Sequence, residues 1–271
     1  MHEWQTDSLA AANAANAQIE GDDAPADAAT ATVRQNNRTQ IFRQVAQVSG
    51  SLRAYNTAGR KDELGYQLGK RAAEQKRDIE AALCANQAKV TGSGATAARL
   101  AGFPAWIATN TDFATGGTPS GADPTGDGSN ARTDNSTTRA YSETIHKNVL
   151  QQCWTNGAKV KIVVVSGTNK QVASTFTGST TRFTPADKDT LYAAYDVYMS
   201  DFGKITFVPS RFSRPRDALY IDPKMAAVAY ARPFERVPLA KTGDSDKVAL
   251  YSELTLEVRN EKAHGIAADL T

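Results

Sequence analysis

Apolar and polar positions along the chain change period several times, and each change marks an element. From Lys61 to Asn86, Leu64, Leu68, Ala72, Ile79 and Leu83 recur at helical spacing and form one stripe. Asp62 and Glu63 stand in the first turn, where carboxylates suit the positive end of the helix dipole. Lys70, Arg71, Glu74, Lys76, Arg77 and Asp78 fill the opposite face. This predicts a long amphipathic helix that needs a sheet or a partner beneath its stripe. Tyr141, Ile145, Val149 and Cys153 share the face of a second helix, which Asn156-Gly157 stops. The β-branched run Val160–Val165 predicts a buried strand that turns at Ser166-Gly167-Thr168 into a helix near Asn169–Phe176. Tyr195–Pro209 reads as a hairpin around Asp201-Phe202-Gly203-Lys204, and 218–222 and 225–231 as two more strands.

Strict alternation returns in Val248–Val258. Val248, Leu250, Leu254, Leu256 and Val258 take one face, and only Ser252 breaks it. This half-buried strand is the candidate sheet under the long helix. It joins the first half and the tail of the chain into one domain, with about 138–232 inserted between them. Leu100–Ala108 is an apolar island suited to cover the helix stripe, whereas Ala114–Thr138 is a polar, turn-rich loop.

The first sixty residues follow no core pattern. Residues 10–32 carry 11 alanines, and no aromatic residue lies between Trp4 and Phe42. Such a stretch buries too little apolar area to offset the entropy of ordering it, so it stays mobile or orders against another molecule. His2–Leu9 and the β-like Val33–Leu52 predict a two-stranded arm with a small-residue tip. Its charges are segregated. Residues 1–30 hold Glu3, Asp7, Glu20, Asp22, Asp23 and Asp27 without Lys or Arg; residues 31–60 hold Arg34, Arg38, Arg43, Arg53 and Arg60 without Asp or Glu. The same Coulomb attraction serves either pairing across one hairpin or complementarity between neighbouring copies.

Composition adds exclusions. With 41% hydrophobic residues, 22% charged residues and a net charge of +2, the chain reads as an ordinary globular protein. A near-neutral balance makes no case for nucleic acid as the main partner. No run is long and apolar enough for a transmembrane helix, and no secretory leader is evident. Cys84 and Cys153 fall in predicted helices and read as reduced, buried thiols.

Chemistry is sparse. His2, His146 and His264 are scattered without a second ligand at metal spacing. No G-x-S-x-G elbow exists, and Asp201-Phe202-Gly203 has none of the kinase context that would make it more than a turn. Gly92-Ser93-Gly94-Ala95-Thr96-Ala97 follows a helix instead of a strand, which removes the reason for a dinucleotide loop. Asp123, Thr125, Asp127, Gly128, Ser129 and Asp134 fall at EF-hand offsets, giving Asp123, Asp127 and Asp134 as calcium candidates beside a solvated-turn reading. No catalytic residue and no cofactor are expected. The strand–turn–helix at Val160–Phe176 alone keeps open an α/β nucleotide-binding enzyme.

Together these pieces resemble a tailed-bacteriophage major capsid protein of the Hong Kong 97-type fold. The order carries the resemblance: extended two-stranded loop, long helix, inserted α/β domain, return strand. HEWQTDSLAAANAANAQIEGDD, GRKDELGYQLGKRAAEQKRDIE, NQAKV, LAGFPAWIATNT, GADPTGDG and LTLEVRNEKAHGIAADL carry it in detail, over nearly the whole chain.

The resemblance implies an α+β fold with four parts. These are an extended loop (1–52), a peripheral domain with its spine helix (53–137, helix 61–86), an axial domain (138–232) and a peripheral return (233–271). It implies a structural subunit without catalysis that self-assembles into pentamers and hexamers around double-stranded DNA, contacted non-specifically. Portal, scaffold or decoration proteins are further implied partners, with no membrane, and the place is the virion after assembly in the host bacterial cytoplasm. A non-viral shell of the same fold is the alternative.

Trp4, Glu20, Asp22, Asp23, Arg34, Arg38, Arg43, Arg71 and Arg77 are the expected subunit-interface residues. Family members usually carry an N-terminal arm ahead of the loop; Met1 stands directly before the first strand here, so none is expected. Some such shells cross-link a loop lysine to a neighbour's asparagine. Residues 1–60 contain no lysine, so that chemistry cannot start from this loop.

Overall fold

A computed structural model describes residues 1–23, 31–55, 59, 62–176 and 197–271. In chain order, the elements begin with β1 (His2–Thr6), β2 (Val33–Asn37), β3 (Gln40–Ser49), the short α1 (Gly50–Ala54) and α2 (Glu63–Cys84). Then come β4 (Thr111–Asp112), α3 (Glu143–Thr155), β5 (Ile162–Val165), α4 (Gly167–Ala173), β6 (Val197–Ser200), β7 (Gly203–Pro209) and β8 (Ala218–Ile221). The chain closes with β9 (Ala226–Pro238), β10 (Ser245–Val258) and β11 (Gly265–Ala267). Among the described residues the strands form three sheets: β1-β2, β3-β10-β9 and β4-β11-β8-β5-β7-β6.

Helix α2 starts where Asp62 caps it, the carboxylate accepting from Leu64 N at 3.1 Å. Asp62 is thus the cap and not a first-turn residue, and the helix ends at Cys84, two residues before the expected Asn86. Its expected first residue, Lys61, lies outside the described residues. At 22 residues it runs about 33 Å. It lies over β3 and β10. Phe42, Ile79, Leu100 and Leu254 form the core between them.

The apolar stripe has one gap, Gln75, which is fully buried. Its Nε2 donates to Phe42 O at 3.0 Å and to Ser252 Oγ at 2.9 Å. The gap in the helix stripe and the one polar break in β10 therefore meet, and the Gln75 amide N–H donates to the Ser252 hydroxyl.

Leu100–Ala108 is more than a cover for the helix. Leu100 packs under α2, while Phe103, Trp106 and Ile107 pack with Leu219 of β8, Leu256 and Val258 of β10, and Ile266 of β11. The island thus glues the two larger sheets. Each fully buried aliphatic side chain there contributes about 1.5–3 kcal/mol. Gly128 closes over it: a Cβ there would lie 2.9 Å from Ala101 and from the Trp106 ring, and its φ is +73°.

The α/β part matches its pattern. Tyr141, Ile145, Val149 and Cys153 are all buried, and Gly265 lets α3 approach β11, since a Cβ there would stand 2.7 Å from Cys153 Sγ and Val149 Cγ1. His146 sits fully buried among Tyr141, Phe176, Tyr198, Phe207 and Tyr220, and burial pushes its imidazole down to about 3. Burial raises the thiols of Cys84 and Cys153 to about 11 and about 12, and both are unbridged. The turn at Asp201-Phe202 joins β6 to β7, with Ser200 opposite Gly203. The expected start of that hairpin at Tyr195 falls outside the described residues.

Three expectations are corrected. The arm does not pair through Leu52: the β1-β2 ladder stops at His2↔Asn37, and Gln40–Ser49 pairs with β10 instead. The pleat explains this, because Phe42, Ala46 and Val48 bury one face of β3 beneath α2, which solvent-exposed pairing would forfeit. The tail does not return wholly to the helix-bearing sheet: after Val258, Gly265–Ala267 pairs with β8 and β4, and Arg139 bridges to Leu270. The helix after β5 is Gly167–Ala173, three residues shorter at its end than expected.

Candidate assembly interface

The arm divides at its root. Five cross-strand pairs hold β1 to β2, and the root is then pinned to the body by groups distant in sequence. Trp4 packs on Trp106 with ring centroids 5.5 Å apart, and on His2 at 5.6 Å. His2 Nε2 lies 2.8 Å from Glu257 Oε2. Asn37 is fully buried; its Nδ2 donates to Leu256 O at 2.8 Å and its Oδ1 accepts from Ala101 N at 3.0 Å. One side chain thus pins the end of β2 to β10 and to the apolar island.

Lys89 completes the clamp. Its Nζ donates to Asn36 O at 3.0 Å and to Asp127 O at 2.9 Å, and stands 5.8 Å over the Trp106 ring. Burial lowers its pKa, while Asp127 opposes the shift. Sequence reading missed Asn37 and Lys89, because their partners lie tens to hundreds of residues away.

Beyond Thr6 the arm leaves the body. Residues 7–23 and 31–34 are exposed; Leu9 is 99% and Ile19 77% accessible. Of these, only Val33 and Arg34 pair with a described strand, β1; residues 7–23 and 31–32 pair with none. Glu20, Asp22 and Asp23 are exposed there. Arg34 pairs with Glu3 across the ladder, so the hairpin itself uses one opposite-charge pair.

The other expected interface residues are placed as follows. Trp4 is half-buried at the root, Arg38 is half-buried, and Arg43 is exposed on β3. On α2, Arg71 pairs with Glu74 at 2.6 Å, and Arg77 stacks over Phe212 at 5.4 Å, leaving Lys70 and Lys76 exposed beside them. The same face of the sheet extends past the helix. Val228 and Tyr230 of β9 stand opposite Leu256 and Leu254, so they share the helix side. They remain 40% and 52% exposed because α2 does not reach them.

The three calcium candidates do not come together as one site. Asp123 pairs with Arg132 at 2.5 Å and accepts from Thr111 Oγ1 at 2.9 Å. Asp134 pairs with Arg214. Asp127 accepts from Thr125 Oγ1 and Ser129 Oγ, both at 2.6 Å, and from Ser129 N at 2.9 Å. Burial would raise its carboxyl, but these hydrogen bonds hold it down at about 2. Each carboxylate serves a different local partner, and no cluster able to hold a metal exists among the described residues.

The strand–turn–helix at 160–176 is also committed internally. Ser166 Oγ caps α4 by accepting from Asn169 N, and Asn169 Nδ2 donates to Pro215 O at 2.7 Å. No helix among the described residues is long and apolar enough to cross a membrane.

Comparison with known proteins bears on this surface. The sequence model of the family described as SU10 major capsid protein matches residues 1–271. A major capsid protein of Escherichia phage Phieco32 is 43% identical over 86 residues, which are 32% of this chain and 24% of that relative. The chain therefore spans about a quarter of the length of that curated relative.

Among solved structures, the capsid asymmetric unit of cyanophage A-1(L) aligns over 100% of this chain and 88% of its own, at 13% identity and TM-score 0.61. The capsid of a native GTA particle aligns over 100% and 85%, also at 13% and 0.61. An encapsulin, the holo-SrpI complex of Synechococcus elongatus PCC 7942, aligns over 89% and 76%, at 10% identity and TM-score 0.53. At such identities the likeness shows the fold, and that fold is the Hong Kong 97 type.

Proposed function

The chain belongs to the SU10 major capsid protein family, and from that premise we propose that it is the repeating, non-catalytic subunit of a phage head. The observation that carries the mechanism is the contrast at Thr6. The root of the arm is pinned to the body, and the described residues beyond it, 7–23 and 31–32, bury almost nothing on their own chain. A segment with Leu9 and Ile19 in water gains its order on another surface.

In this reading the arm lies on a neighbouring copy. Its base-free, acidic stretch meets Lys70 and Lys76 on α2, and its apolar side chains meet Val228 and Tyr230 beside the helix. One patch on a different patch is a heterologous contact, which closes into rings of five or six. The rings enclose double-stranded DNA in the virion, after assembly in the host bacterial cytoplasm; portal, scaffold or decoration proteins join the same particle.

The strand pairing supports a different division of the parts: the arm is 1–37, the peripheral part groups α2 with β3, β9 and β10, and the axial part groups α3 and α4 with β4, β5, β6, β7, β8 and β11. Hydrogen exchange tests the mechanism. Residues 7–23 exchange at near-intrinsic rates in the isolated chain and are protected in particles seen by electron microscopy. Equal protection in both states sinks it.

A further inference from the structure

Where the loop 132–135, the loop 213–217 and the tail meet, three carboxylates and three guanidiniums are packed together. They are Asp134, Asp217 and Asp269 with Arg132, Arg214 and Arg216. Arg132 is taken by Asp123, and by Ile107 O at 2.9 Å. Arg216 is taken by Asp269 at 3.0 Å and by the Asn135 carbonyl. Asp269 also accepts from Asn135 N at 2.9 Å and holds a left-handed φ of 58°, so the tail is fixed against this seam at a cost in backbone strain.

That leaves Arg214 for two carboxylates. Its Nη1 donates to Asp217 Oδ2 at 2.9 Å, and its Nη2 donates to Asp134 Oδ2. The second oxygen of each, Asp217 Oδ1 and Asp134 Oδ1, is buried with no hydrogen-bond partner. A buried carboxylate, Asp217, and a partly exposed one, Asp134, share one positive charge, and each leaves one buried oxygen without a partner. An uncompensated carboxylate at such a site is costly, and a proton is the smallest group that removes the charge and converts an acceptor into a donor.

We propose that Asp217 takes up a proton in the closed seam, making the seam a pH-sensitive joint between the six-stranded sheet and the helix-bearing sheet. Its titration follows from its surroundings. Burial raises the Asp217 carboxyl to about 6; Arg214 and Arg132 pull it back, and Asp134 and Asp269 push it further up. An acid raised in the fold gives its stabilising contribution in full below the ordinary aspartate range. It loses that contribution as pH rises through about 6.

The joint reaches α2 from both sides. Arg132 N donates to Asn86 Oδ1 just past the helix end, at 2.9 Å. The loop before 213 touches the helix through Ser210 Oγ, which donates to Glu80 Oε1 at 2.5 Å, and through Phe212 under Arg77. Losing the proton therefore loosens the strap that sets how the axial part sits on the helix. That consequence rests on the shell reading, since one chain must take slightly different shapes at five- and six-fold positions.

The titration itself is measured on the isolated chain, so its failure leaves the shell reading intact. Carbon-13 NMR of the side-chain carboxyls places the Asp217 midpoint near 6, against about 3.9 for an ordinary aspartate. Amides of 132–136 and 213–217, corrected for intrinsic rates, exchange about 5-fold faster at pH 7.5 than at pH 5. Asp217→Asn, which is neutral at every pH, removes that difference. A midpoint below about 4.5 overturns the proposal, as does an unchanged pH dependence in Asp217→Asn. If that variant does not fold, the wild-type titration alone decides.

Discussion

The root and the tip of the arm are neighbours in sequence with opposite physics. At the root, Trp4, Asn37 and Lys89 each make contacts that exist only when the whole body is folded. At the tip, Leu9, Ile19, Glu20, Asp22 and Asp23 have no such partner among the described residues. The difference teaches where folding ends and association begins. The launch direction of the arm is set within one subunit, whereas its path is left to a neighbour. Stability and assembly should therefore separate by mutation on either side of Thr6.

The strongest way to break this contrast is Trp106→Ala. It removes the ring under Trp4 and Lys89 and opens the hub between the sheets, with an expected loss of about 3–5 kcal/mol in urea unfolding. The β1-β2 amides should lose protection with it; a stable variant with a protected ladder would show that the root does not depend on the hub. Asn37→Ala should cost about 2–3 kcal/mol, because Ala101 N and Leu256 O lose their partner in a dry site. A loss below about 0.5 kcal/mol, the surface range, would demote the clamp. The smallest effect on stability belongs to the tip. Leu9→Ser with Ile19→Ser should change unfolding by no more than about 0.5 kcal/mol, yet lower the yield of particles. A measurable change in the isolated chain's stability would mean that the tip folds at home.

The pattern of the sequence made one part of this legible and hid the rest. The stripe of α2 and the alternation of β10 were plain because each is local and periodic. Ser252 stood out as the break in β10, but the gap at Gln75 in the helix stripe was not singled out, and a polar gap in each of two facing stripes is a readable sign that they meet. The division of Val33–Leu52 was not readable, since both halves have strand character and only the burial under α2 separates them. Strands β4 and β11 are two and three residues long, below any period that a pattern can show. Among the candidate interface residues, composition marked the acidic tip and the basic helix face. The clamp at Asn37 and Lys89 joins positions far apart in sequence, which no local window contains.

Gln75 gives the helix one further property. Its amide sits four residues before Ile79 in the buried stripe, tied to β3 and β10 together, and its Oε1 has no partner. Sliding or rolling α2 by even one position would strand that amide and the Ser252 hydroxyl in a dry interior, so the helix is indexed at this rung like a key in a lock. The first two turns, where Leu64 and Leu68 are only half-covered, carry no such tooth. Any flexing of the helix against its sheet is thereby confined to the N-terminal end, the end opposite the arm root, which is held through Asn37 and Lys89 just past the helix C-terminus.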